Sequence, residues 1–387
     1  MLREELKDHL TKKILPFWEN LKDEGHGGFY GYVDKALNVE READKGCILH
    51  SRILWTFATA ARTLGSEEYR AYADWAYEAL KMFEDGEHGG VYWSVTYDGK
   101  PSDTTKHTYC QAFAIYGLSA YYRLTGKKEA LEKARALYRV IEDRCTVYNG
   151  YGEAYQADFS PESNEKLSEN GVMATRTMNT LLHVVEAYTE LHRAEKDEEV
   201  RESAQRGLGI LLEKMYAPEK HRLEVFMDDD YRPLLDMQSY GHDIESGWLL
   251  WDAAQEFFPK ADLAPYRAMC LDLLVHVRER AFTDHGLKNE WVDGEVNELR
   301  IWWVQAETML GLTCGWELTG DAFWLEDVRT QWQTIQRMIV DPRENGEWYW
   351  SVYEDGSLTE RPMVEEWKCP YHNGRMCLRL MGSALPV

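Results

Sequence analysis

Apolar positions along this chain recur at helical spacing in paired segments. One pair covers residues 49–64 and 67–83, another residues 109–124 and 128–142. Within each segment the apolar residues fall three and four apart, the period of a helix that buries one stripe. The break inside a pair carries a glycine, as in Thr63-Leu64-Gly65-Ser66 and Leu124-Thr125-Gly126-Lys127. Glycine stops the first helix, and the polar residue beside it starts the second.

Between the pairs the texture changes to short aromatic, Gly- and Asp-rich patches of strand-turn character. Six occur, beginning at Gly27, Gly89, Gly150, Leu223, Gly286 and Gly346, a spacing of roughly 60 to 70 residues that marks an internal repeat. Six helical hairpins joined by short β-like turns predict an all-α fold, the (α/α)6 barrel, with helix ends and turns surrounding one axial funnel. That funnel is the default site. The same hairpins could also stack as an open α-solenoid, but the many polar residues at inward positions favour closure. No Pro/Ser-rich linker or low-complexity stretch divides the chain, so residues 1–387 read as a single catalytic domain.

Charge and motif content narrow the chemistry. A net charge of −23 excludes nucleic acid as a partner, because that binding needs clustered Lys and Arg to displace counterions from phosphates. No apolar run reaches membrane-spanning length. The first ten residues read as a charged amphipathic helix rather than a secretion signal, and the seven cysteines are scattered without a Cys-x-x-Cys. Both features predict a cytoplasmic protein with reduced thiols. His-Glu-x-x-His, phosphate-loop, dinucleotide and Gly-x-Ser-x-Gly motifs are all missing from the sequence, which leaves acid–base chemistry with no cofactor and no metal as the expectation.

Two segments combine a histidine with tryptophan, carboxylate and turn residues: Gly241-His242-Asp243-Ile244-Glu245-Ser246-Gly247-Trp248 and Trp367-Lys368-Cys369-Pro370-Tyr371-His372-Asn373-Gly374-Arg375. Helical spacing puts His242 and Glu245 on one face, as it does Asn179 with His183 and Trp303 with Glu307. Arg52 sits in an otherwise apolar helix, where a guanidinium is costly to bury unless it meets an anion. Each feature alone has a plainer reading as a salt bridge or core residue. His50 and His107 are ambiguous, and the remaining histidines read as structural or surface groups. Convergence on one funnel is what raises these residues together.

The segments around Arg52, His242, Glu307 and His372 resemble those of cellobiose 2-epimerases, within the N-acylglucosamine 2-epimerase superfamily, and the likeness runs from about Leu15 to Leu380. The resemblance implies an (α/α)6 barrel that inverts carbon 2 of a reducing-end sugar without a cofactor. His242 and His372 would be the two acid–base groups, Arg52 would stabilise an enediolate oxygen, and Glu245 would orient His242 or raise its pKa. His183 and Glu307 would assist ring opening or bind the exposed oxygens. Tyr109, Asn179, Trp248, Trp303 and Trp367 would bind the sugar. The expected partner is a small sugar, with the protein a monomer or weak homodimer. Met363-Val364-Glu365-Glu366 before Trp367 and Ser246-Gly247 after Glu245 depart from the pattern expected of that family. Action on mannobiose or free mannose therefore stays open, as do an aldose–ketose isomerase and, further off, an inverting glycoside hydrolase built on two carboxylates.

Overall fold

The computed structural model describes residues 2–167 and 171–386. Twelve long helices follow in chain order among the described residues: α1 (residues 2–19), α2 (Cys47–Leu64), α3 (Glu67–Leu80), α4 (Thr108–Thr125), α5 (Lys128–Val140), α6 (Met178–Ala194), α7 (Glu198–Ile210), α8 (Tyr240–Phe257), α9 (Ala264–Ala281), α10 (Trp302–Thr319), α11 (Ala322–Thr334) and α12 (Tyr371–Gly382). The even-numbered helices form an inner ring in which each packs on the next, and α12 returns to α2. The odd-numbered helices lie outside them, and α1 closes the outer ring against α12. This is the expected (α/α)6 barrel, closed rather than an open solenoid.

Burial explains the two rings. Residues 47–61 of α2 are all buried, as befits a helix walled in by neighbours on every side. Outer helix α5 buries one stripe, Ala130, Leu131, Ala134, Leu137 and Tyr138. The hairpin turns use the predicted glycines: Gly65 and Gly126 adopt left-handed φ of 65° and 69°, and their N–H groups close onto the carbonyls of Ala61 and Tyr122. A side chain with a Cβ would be strained there.

The long connections run the other way, from outer helix to the next inner helix, and they carry the aromatic patches. The two or three residues just before an inner helix pair antiparallel with the following connection: Lys45–Gly46 with Ser94–Val95, Lys106–His107 with Ala154–Tyr155, Arg176–Thr177 with Phe226–Met227, Met237–Ser239 with Glu290–Val292, and Arg300–Ile301 with Ser351–Val352. A bridge between Val33 and Val364 completes the circuit. The patches are thus links in a chain around one end of the barrel.

A repeated bond fastens four of the six links. His50, Gln111, Asp243 and Gln305 are each the fourth residue of their inner helix. They accept hydrogen bonds from the backbone N–H of Phe29 (3.0 Å), Val91 (2.7 Å), Leu223 (3.0 Å) and Leu287 (3.0 Å). His50 uses its other nitrogen on Gly46 O (2.8 Å), so the ambiguity over this residue resolves to a structural role. His107 resolves likewise, accepting from Tyr109 N–H (3.2 Å) and meeting Asn164 Oδ1 (2.8 Å). No helix among the described residues is long and apolar enough to cross a membrane.

Candidate active site

The N-terminal ends of the inner helices converge on one funnel lined by Arg52, Tyr109, Asn179, His183, His242, Glu245, Trp303, Trp367 and His372. Their positions follow a rule. Tyr109, Asn179, Trp303 and His372 are second residues of their helices and His242 is a third, whereas Arg52, His183, Glu245 and Glu307 are sixth residues. At 1.5 Å per residue, four positions amount to about 6 Å of depth. The first group therefore forms the wall and the second the floor, which is why the sequence pairs them at a spacing of three or four. The helix N-termini also turn their partial positive charge toward the cavity, a setting that favours an anion.

His242 and His372 border this same cavity. Trp303 lies against both, with ring centroids 4.8 Å from His242 and 5.6 Å from His372. Its place depends on Gly241, where a Cβ would come within 2.6 Å of the Trp303 ring. On His242, Nδ1 meets Ser239 Oγ at 2.8 Å. His183 Nδ1 lies 2.7 Å from Glu186 Oε2, and His372 Nδ1 lies 2.6 Å from Glu307 Oε1. A carboxylate can only accept, so His183 and His372 carry their proton on Nδ1 and leave Nε2 with a free lone pair.

Electrostatics set these rings as neutral groups. Burial drives His242 down to about 3. Burial, with the nearby Arg52 and Arg375 guanidiniums, lowers His372 well below the ordinary imidazole range. Burial also lowers His183, against the pull of Glu186. In the floor, burial and the neighbouring Glu307 push Glu245 up to about 8, and burial raises Glu307 as well. Burial alone would raise Glu186 too, but Arg375, His183 and Tyr371 hold it at about 2. Three carboxylates, Glu186, Glu245 and Glu307, all meet the Arg375 guanidinium.

Arg52 is 2% exposed and, among the described residues, meets no carboxylate within salt-bridge range. It donates to Tyr109 Oη (2.7 Å) and Trp367 O (3.2 Å), and aromatic rings enclose it, with Phe113 at 4.1 Å and Tyr371 at 4.9 Å. A buried cation left without its own anion is a site built for one brought by a ligand.

Two expectations need correction. Glu245 does not orient His242: its Oε1 accepts from Arg375 Nη2 (2.6 Å) and lies 3.9 Å from His372 Nδ1. Helical spacing placed the two on one face, but the carboxylate sits a turn deeper and serves the helix across the barrel. Trp248 is not in the funnel wall. It lies beneath the floor, where Nε1 donates to Glu307 Oε2 (2.9 Å) and its ring covers Arg375 at 4.7 Å. Conversely, the sequence reading passed over Glu186, Tyr371, Arg375, Trp350 and Ser239. Glu186 and Arg375 stand three residues after His183 and His372, and the spacing already used for the other pairs would have found them.

Glu245, Glu307 and His372 bring ligand atoms within 4.8 Å of one another, a grouping that could suit a cation. Arg375 Nη2 already lies 2.6 and 2.7 Å from the two carboxylates, so the guanidinium fills that role. The same closeness argues against an inverting hydrolase, whose two carboxyl groups stand about 6.5–9.5 Å apart to admit a water.

The N-acylglucosamine 2-epimerase (GlcNAc 2-epimerase) family model matches residues 28–373. The chain is 45% identical to a cellobiose 2-epimerase of Eubacterium cellulosolvens, with all of both chains covered. Among solved structures, a sugar epimerase from a ruminal bacterium superposes with a TM-score of 0.97 at 42% identity over all of both chains. The cellobiose 2-epimerase of Bacillus thermoamylovorans B4167 gives 0.96 at 40% identity over 98% of this chain and 99% of that one. This barrel, with its histidine-bearing funnel, is a carbohydrate epimerase, an isomerase, and the chain belongs to the N-acylglucosamine 2-epimerase family beside its cellobiose 2-epimerases.

Proposed function

We propose that the protein inverts carbon 2 of the reducing-end sugar of a β-linked disaccharide such as cellobiose or lactose, converting a glucose unit into a mannose unit. The observation that carries this reading is the pair His242 and His372 bordering one cavity beside Trp303. The sugar first opens to its aldehyde, with His183 assisting proton movement at the ring and anomeric oxygens; Glu307, fully buried and outside the cavity lining, acts only through His372. One imidazole then takes the carbon 2 proton through Nε2, giving a planar enediolate whose oxygen faces the Arg52 guanidinium. The intermediate turns about the bond between carbons 2 and 3; the other histidine, charged by a proton taken up from solvent water, gives that proton to the opposite face, and the first ring releases the carbon 2 proton to solvent. Low imidazole pKa values keep both rings neutral and basic at rest. The enediolate charge raises the affinity of the second ring for a proton when protonation is required. Tyr109 and Asn179 bind hydroxyls, while Trp303 and Trp367 stack on sugar faces.

Incubation with cellobiose, lactose, mannobiose or mannose in heavy water, followed by proton NMR, tests the reading. The expected product is the 2-epimer of a disaccharide carrying deuterium at carbon 2. A ketose would point instead to isomerase action, released monosaccharides to hydrolysis, and turnover of free mannose alone to a monosaccharide epimerase.

A further inference from the structure

Arg375 is 1% exposed and none of the sugar-binding or proton-transfer roles above employs it. Its Nη1 donates to Glu186 Oε1 and Tyr371 Oη, and its Nη2 donates to Glu245 Oε1 (2.6 Å) and Glu307 Oε1 (2.7 Å). Two of these carboxylates have a second duty, since Glu186 holds His183 Nδ1 and Glu307 holds His372 Nδ1. One planar guanidinium thus fastens two His–Glu pairs back to back, with groups supplied by α6, α10 and α12. The Trp248 ring at 4.7 Å and the Tyr371 ring at 4.1 Å restrain its plane, so it cannot turn toward one pair and abandon the other.

We propose that Arg375 is the positioning residue that fixes the tautomer of His183 and of His372 together, so that both rings present an unprotonated Nε2 to the sugar as one coupled unit. A carboxylate freed from Arg375 would swing or take up a proton, and a protonated carboxyl no longer demands the Nδ1–H form of its histidine. Other charged and titratable groups facing the cluster are Arg52 from α2, Tyr109 from α4 and Glu245 from α8. None of them touches both His–Glu pairs. Lysine could replace the charge of Arg375 but not its two-sided fork.

The inference rests on the reading of His372 as a proton-transfer group, yet its test reads the rings without any sugar. In the full-length protein labelled with ¹⁵N-histidine at neutral pH, the nitrogen shifts of His183 and His372 should both report the Nδ1–H tautomer. Arg375→Gln should disturb both signals together, and Arg375→Lys should disturb at least one. In each variant kcat should fall about a hundredfold, with KM moving less than about threefold. Loss of activity in Arg375→Gln with both rings still fixed as Nδ1–H would overturn the proposal and leave Arg375 a merely structural group. Should Arg375→Gln fail to fold, Glu186→Gln serves instead, because it cuts the link to one pair only. His183 should then lose its fixed Nδ1–H signal while His372, still held by Glu307 on Arg375, keeps its own, and an unchanged His183 would again overturn the proposal. A shifted tautomer in a protein that shows no carbon 2 exchange would keep the coupling and discard the epimerase mechanism.

Discussion

His372 and His242 are the residues on which turnover is expected to depend. Replacing either with Asn should reduce epimerisation by about 10³-fold or more, measured as 2-epimer formed from cellobiose. One of the two variants should still exchange the carbon 2 proton with heavy water from its remaining face; near-normal turnover in both would remove the two-histidine mechanism. Arg52→Met should cost about 10²-fold in kcat, in the range seen when an oxyanion partner is removed, while Arg52→Lys should recover part of that loss because the charge survives without the Tyr109–Trp367 fork. At this scale the sequence was partly legible. Helical spacing identified which residues share a face, and so the wall and floor of the funnel. It could not tell that Glu245 reaches Arg375 and the neighbourhood of His372 rather than His242, because that choice is made across the barrel by helices far apart in the chain. Trp248 misled for the same reason: an aromatic six residues beyond His242 lies on a deeper level, where it supports Glu307.

Elements carry the placement of these groups, and Gly241 at the start of α8 is a sensitive point. A methyl there would meet Trp303 and Val304, each at 2.6 Å. Gly241→Ala should therefore displace Trp303 from between the two histidines, destabilise the fold by about 1–3 kcal/mol as overpacking does, and lower kcat more than sugar affinity. Thermal melts and steady-state kinetics on the same sample would check both effects. The hairpin logic was plainly written in the sequence: helix period, glycine stops and the spacing of the aromatic patches all agree with the observed elements. The patches themselves looked like isolated turns. Their pairing, strand before one inner helix with the connection that leads to the next, joins residues some fifty apart, for example Lys45 with Val95, and local pattern holds no trace of a partner at that distance. His50 and His107 were ambiguous because their bonds belong to that pairing and not to the funnel.

The whole molecule carries a pH sensitivity that follows from histidines buried as neutral rings outside the site. Burial holds His9, His50 and His107 each at about 4, below the value near 6.5 expected of the unfolded chain. Above pH 6.5 neither state binds these protons, so the contribution to stability is fully present. As pH falls from about 6.5 to about 4 the unfolded chain takes up protons that the folded one refuses, and stability is lost. Buried Glu153 and Asp243, each raised to about 7, act in the opposite sense over the same range, so the check reads the rings themselves: histidine ¹⁵N shifts recorded between pH 7.5 and 4.5 should show His9, His50 and His107 still neutral at pH 5, and rings that charge near 6.5 would remove this contribution. Closure of the barrel has a further consequence. Val33 and Val364 are joined, and α1 lies against α12, so the array has no end repeat exposed to solvent on its outer side. An array with free ends can shed units one at a time, whereas a hoop with every unit braced on both flanks must be breached before any of them can leave.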